Sequence, residues 1–111
     1  MTSFEFGDIV LLTFPFTNGV QKKKRPALIL LDADDGDVIL CRITSKKVET
    51  KYDFILEEWK NFNLLLPSVI RMHKIATLDK KLIERKLGKL NVATKQTFTN
   101  FIRPMLTKFL K

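Results

Sequence analysis

Four consecutive cations run into a proline and then into an apolar stretch, Lys22-Lys23-Lys24-Arg25-Pro26-Ala27-Leu28-Ile29-Leu30, and this junction limits what the chain can fold into. Pro26 fixes its own φ and pushes Arg25 toward extended geometry, which places the guanidinium at the mouth of a strand and not on a loose tail. Residues 27–31 are almost continuously apolar, as expected of a strand buried on both faces. The turn residues Asp34-Asp35-Gly36-Asp37 then reverse the chain into a second strand over residues 38–44, predicted to pair antiparallel with the first.

The same pattern recurs on either side. Residues 9–16 are rich in strand formers and broken by Pro15, and Thr17-Asn18-Gly19 has turn chemistry, so the opening two strands read as a hairpin whose loop carries the lysines. Residues 46–51 read as a polar loop, 52–56 as a short strand and 57–63 as a helical turn. Residues 67–72 and 74–78 read as the last strands, and a helix is predicted over 79–86, stopped near Gly88. Beyond it, Phe98, Phe101, Ile102, Met105, Leu106, Phe109 and Leu110 recur at helical spacing. They predict an amphipathic C-terminal helix with its stripe in the core and a kink at Pro104. The implied architecture is a small, strongly bent antiparallel sheet closing toward a barrel, with helices at its edge, in one domain spanning residues 1–111.

Charge and cysteine content narrow the function classes. Twenty basic residues against twelve acidic give a net charge of +8, which favours a polyanionic partner. Everything after Glu84 is free of Asp and Glu. Cys41 is the only cysteine, so neither a disulfide framework nor a thiolate zinc site is expected, and it reads as a small core residue. The spacing of His and carboxylate residues suggests no metal cage or cofactor, and the Asp-rich turn reads as solvated. No apolar run reaches membrane-spanning length, and a soluble, cytoplasmic protein is expected.

Phe6-Gly7-Asp8-Ile9-Val10 precedes Phe14-Pro15-Phe16, then the Arg25-Pro26 strand, Ile43-Thr44-Ser45-Lys46, Pro67-Ser68-Val69-Ile70-Arg71, and Lys74-Ile75-Ala76-Thr77-Leu78-Asp79. This order of motifs resembles the MazF/PemK family of toxin endoribonucleases from toxin-antitoxin pairs. The likeness implies a mainly β, α+β fold: an SH3-like antiparallel barrel with a C-terminal helix, paired as a homodimer that builds an RNA surface across its interface. It implies cleavage of single-stranded RNA, mainly messenger RNA, and neutralisation by a cognate antitoxin. Arg25 would stabilise the phosphate and Thr44 would bond a phosphate oxygen, with Ser45 as its substitute. Lys22, Lys23, Lys24 and Lys46 would draw in the RNA backbone.

Such chemistry suits these residue types. Cleavage through the RNA's own 2′-hydroxyl asks the protein to hold the phosphate, stabilise added negative charge and move protons. An arginine fork answers the first two demands. Many relatives place a Glu in the loop before the Arg-Pro pair, whereas this loop, Asn18-Gly19-Val20-Gln21-Lys22-Lys23-Lys24, has no carboxylate, leaving the general base open. His73 is a proton carrier by chemistry, but its position between two β-like segments reads as a surface or dimer edge. Phe14, Phe16 and Tyr52 could stack bases, although the alternation of Phe14 and Phe16 favours a core face. The alternative reading is a non-catalytic nucleic-acid-binding module or DNA-binding regulator on the same barrel.

Overall fold

The computed structural model describes residues 3–14, 23–47 and 50–110. Six strands form one antiparallel sheet: β1 (Asp8–Phe14), β2 (Lys23–Asp32), β3 (Asp37–Thr44), β4 (Asp53–Leu56), β5 (Ser68–Asp79) and β6 (Ile83–Lys89), in the spatial order β4-β5-β3-β2-β1-β6. A single α-helix, α1 (Val92–Phe109), follows. The mainly β fold with a C-terminal helix is as expected, but the hydrogen-bonded ladder does not close and ends on β4 and β6.

The two ends are bridged by main chain instead. A 3-10 turn, Trp59–Phe62, leaves β4 and packs on β6, where the Asn63 side-chain Nδ2 donates to the Leu87 carbonyl. Gly88 permits the approach: a Cβ there would meet the Phe62 carbonyl oxygen at 3.1 Å and its Cα at 3.2 Å. Gly88 therefore serves a close contact between backbones and not the end of a helix.

The predicted helix over 79–86 is absent; residues Lys80–Leu82 make one 3-10 turn and β6 begins at Ile83. Apolar Leu82, Ile83 and Leu87 around charged Glu84, Arg85 and Lys86 mimic a helical stripe, yet pairing with β1 prevails. Leu12 faces Ile83, Leu11 faces Arg85, Val10 faces Lys86 and Ile9 faces Gly88, leaving Glu84 and Leu87 as the extra residues of two bulges. The expected pair of late strands is one strand, β5. Its partner β3 passes from Cys41, opposite Ile75, to Arg42, opposite Arg71, so Met72, His73 and Lys74 bulge out, and the Met72 amide bonds the Tyr52 carbonyl at 2.9 Å.

Alternation along the strands divides the core between the sheet's two faces. One face gathers Ile9, Leu28, Cys41, Phe54 and Ile70 under Phe62 and the α1 residues Phe98, Ile102 and Met105. The other gathers Val10, Leu12, Phe14, Ala27, Ile29, Val38 and Leu40. Ala27, Leu28 and Ile29 are thus all fully buried, confirming a strand covered on both sides. Burial pushes the Cys41 thiol up to about 12, as befits an inert core residue. Only part of the C-terminal stripe is core: Phe101, Leu106, Phe109 and Leu110 remain 42%, 41%, 69% and 86% exposed. The helix continues through Pro104, and its start is capped by the Asn91 side chain accepting from the Thr94 amide at 2.8 Å, a cap worth about 1 kcal/mol.

Candidate phosphate-binding cleft

Strand β2 starts before its second neighbour does. Lys23, Lys24, Arg25 and Pro26 pair with Phe14, Thr13, Leu12 and Leu11 of β1, while pairing with β3 begins at Ala27, opposite Arg42. The missing N–H of Pro26 thus interrupts no ladder bond toward β3. Continuing the Ala27–Arg42 register by two residues brings Arg25 opposite Thr44. Where the two strands part, a cleft of about 300 Å³ opens, and Lys24, Arg25, Thr44, Ser45 and Arg85 all line it.

Most of the sequence-predicted residues meet here, with exceptions. Lys24, Arg25, Thr44 and Ser45 share the cleft; Lys23 and Lys46 are exposed but do not line it, and Lys22 lies outside the described residues. Arg25 is half-buried. The Thr44 hydroxyl accepts from the Lys46 amide at 3.1 Å, which leaves its proton free to donate to a bound oxygen. Two further walls went unread in the sequence: Arg85 and Leu87 of β6, hidden by the misread helix, and residues 63–66 after the 3-10 turn. Leu65 and Leu66 are 91% and 57% exposed at its mouth.

The lining is one-sided in chemistry. Cations, hydroxyls and apolar side chains face the cleft, and among the described residues no Asp, Glu or His lines it. Of the described residues, the only charged side chains on its lining are cations, a chemistry suited to an anion. One lining cation is paired from outside: the Glu84 carboxylate lies 3.0 Å from Lys24 Nζ.

His73 stands elsewhere, on the β5 bulge. Its ring tilts against Tyr52 at 5.3 Å between centroids, its Nε2 is 3.5 Å from Arg71, and its buried Nδ1 has no hydrogen-bond partner among the described residues. Burial, then the charges of Arg71 and Lys74, hold its pKa below the usual value. Arg71 is itself tied to Asp53 at 3.0 Å. Burial opposes the Asp53 charge, yet the Thr50 hydroxyl and amide and the Arg71 guanidinium outweigh it and hold that carboxyl below its ordinary range. Phe14 is buried, with Arg42 over its ring at 5.5 Å, while Phe16 falls outside the described residues.

The Asp-rich turn is anchored by its first member. Asp32 accepts from Lys80 Nζ at 2.8 Å, from the Phe4 amide and from the Asp34 amide, and the Lys80 bond foremost lowers its pKa to about 2. Among the described residues no group of three or more His, Cys, Asp or Glu side chains is arranged to hold a metal, and no helix is long and apolar enough to cross a membrane.

A six-stranded antiparallel sheet followed by a C-terminal helix is the fold of solved MazF structures. A sequence profile of PemK-like, MazF-like toxins of type II toxin-antitoxin systems matches residues 5–106, and the chain belongs to that family. Solved structures share the fold. A MazF from Deinococcus radiodurans is 20% identical, with 96% of this chain and 99% of that one covered and a TM-score of 0.73. A MazE-MazF structure from the same organism is 19% identical over 93% and 95%, with a TM-score of 0.73. An endoribonuclease in complex with its cognate antitoxin, from a mycobacterial species, is 17% identical over 95% and 96%, with the same TM-score of 0.73. No curated protein matches the chain in sequence.

Proposed function

We propose that the chain is an endoribonuclease toxin that cleaves single-stranded RNA without a metal, using the 2′-hydroxyl next to the scissile phosphate as nucleophile. The observation that carries this reading is the convergence of Arg25 and Thr44 in a cleft lined by donors. An RNA phosphate seated there meets the Arg25 fork and the Thr44 hydroxyl. Both strengthen their hold as negative charge accumulates on the non-bridging oxygens, which is the condition for lowering a barrier and not merely for binding. Lys24 and Arg85 add field, and Ser45 offers a second hydroxyl. No carboxylate or imidazole of the described residues faces the cleft, so none of them is assigned as the base that takes the 2′-hydroxyl proton.

Family membership supports a cognate antitoxin as partner. The exposed Phe101, Leu106 and Phe109 of α1 supply apolar surface for pairing as a homodimer. The decisive experiment offers a single-stranded messenger RNA to the protein in excess chelator and analyses the ends. Products with a 2′,3′-cyclic phosphate and a free 5′-hydroxyl are expected, and deoxyribose at the scissile position should block cutting. RNA that is bound but never cut would instead make the chain a non-catalytic nucleic-acid-binding module.

A further inference from the structure

A second hollow, of about 370 Å³, lies beyond the corner formed by Thr44 and Ser45. Thr44, Ser45 and Ser68 line both it and the phosphate cleft, so the two hollows share a wall. Its own residues differ in kind: Lys46, Lys47, Glu57 and Trp59. A nucleotide next to a phosphate seated between Arg25 and Thr44 would have this shared wall within reach.

Each residue there has a use toward a nucleobase. Trp59 is partly buried against the core, which fixes the indole, and Lys60 Nζ brings a cation 5.4 Å from the ring centroid. A fixed indole is a stacking platform for an unpaired base. Glu57 is exposed, and its side chain has no hydrogen bond or ion pair among the described residues. An ionised carboxylate only accepts, so it favours a base edge bearing an exocyclic amino group over one that offers a carbonyl. Lys46 and Lys47 are exposed on the other side, suited to the adjoining phosphate.

We propose that this hollow is a specificity subsite, holding the nucleobase next to the scissile phosphate by stacking on Trp59 and reading it through Glu57. It selects bases that carry an exocyclic amino group, guanine, adenine or cytosine, over uracil. The proposal rests on the reading of the cleft as an RNA site and adds what that site discriminates.

The chain's one tryptophan makes the test direct, because its fluorescence reports on this hollow alone. The probes are six-nucleotide 2′-O-methyl oligomers of adenine, cytosine and uracil, which cannot be cut, with binding followed in parallel by anisotropy. The adenine and cytosine oligomers are expected to quench Trp59 and to bind about tenfold more tightly than the uracil oligomer. Glu57→Gln should shrink that preference to less than twofold, while Lys46→Ala with Lys47→Ala weakens all three alike. Binding without any change in tryptophan fluorescence, or a preference untouched by Glu57→Gln, overturns the subsite and leaves the endoribonuclease reading to its own cleavage assay. Failure of every oligomer to bind overturns the subsite and the RNA reading together.

Discussion

Lys24 Nζ lies 3.0 Å from the Glu84 carboxylate, tying the start of β2 to a bulge of β6 across the intervening β1. Both side chains are about half exposed, so the pair adds little to stability. Its effect is on charge, since one cation at the cleft rim is held by an acid of the same chain.

Glu84→Gln should therefore release Lys24 toward RNA. Affinity for single-stranded RNA of any sequence is expected to rise a few-fold at low salt, and the log-log salt slope to steepen by about one unit. Binding titrations at several salt concentrations check this, and an unchanged slope would show that Lys24 never reaches the RNA.

Arg25→Ala and Thr44→Ala should each lower the cleavage rate about 10²–10³-fold. Neither side chain belongs to the buried core, so the thermal midpoint should stay close to that of the wild type. Single-turnover rates on one RNA, with melting curves alongside, separate lost chemistry from lost fold. Two variants that cut at the wild-type rate would remove both residues from the site.

Gly88→Ala should destabilise the protein by about 1–3 kcal/mol. The new methyl meets backbone atoms of Phe62 at 3.1–3.3 Å, and backbone cannot swing aside as a side chain can. Denaturant unfolding measures the loss, and a midpoint equal to wild type would mean that the turn shifts freely away from β6.

Acid should weaken the fold through His73. Its folded pKa is depressed by burial and by Arg71 and Lys74, with Asp53 acting in the opposite sense and the Tyr52 ring packed alongside. The unfolded state takes up the proton first, near pH 6.5. Stability is thus full above that pH and falls as pH drops below it. The low-lying Asp32 and Asp53 carboxyls stay ionised in both states down to about pH 5 and contribute nothing in this window. The thermal midpoint should decline from pH 7.5 to 5.5 more in the wild type than in His73→Gln. Equal declines would place the sensitivity elsewhere.

What could be read from the sequence followed the range of the forces involved. The hairpin of β1 and β2 and the pairing of β2 with β3 rest on local turns and on runs such as Ala27, Leu28 and Ile29, whose burial needs no distant information. The Lys-Lys-Lys-Arg-Pro run put Arg25 near the start of β2 and the family resemblance singled out Thr44, and both line one cleft; Cys41 was legible because an unpaired cysteine in an apolar strand belongs inside. Strand β6 was not legible. Its residues are charged, as suits a sheet edge, and its partner β1 lies some seventy residues earlier in the chain. Arg85 and the Lys24–Glu84 pair went unseen with it. The outer half of the helix stripe misled for another reason: Phe101 and Phe109 have helical spacing whether the face they share meets the core or surface.

The Gly88–Phe62 approach also bears on the order in which a growing chain acquires its cleft. During synthesis Arg25 and Thr44 emerge early and can pair their strands, yet the wall formed by Arg85 and Leu87 does not exist until β6 has left the ribosome and found β1. The contacts that complete the cleft are thus among the longest in sequence separation, and the slowest class to form. A nascent fragment ending before Ile83 carries Arg25 and Thr44 without the wall that encloses them, so the cleft is completed only after β6 has been made.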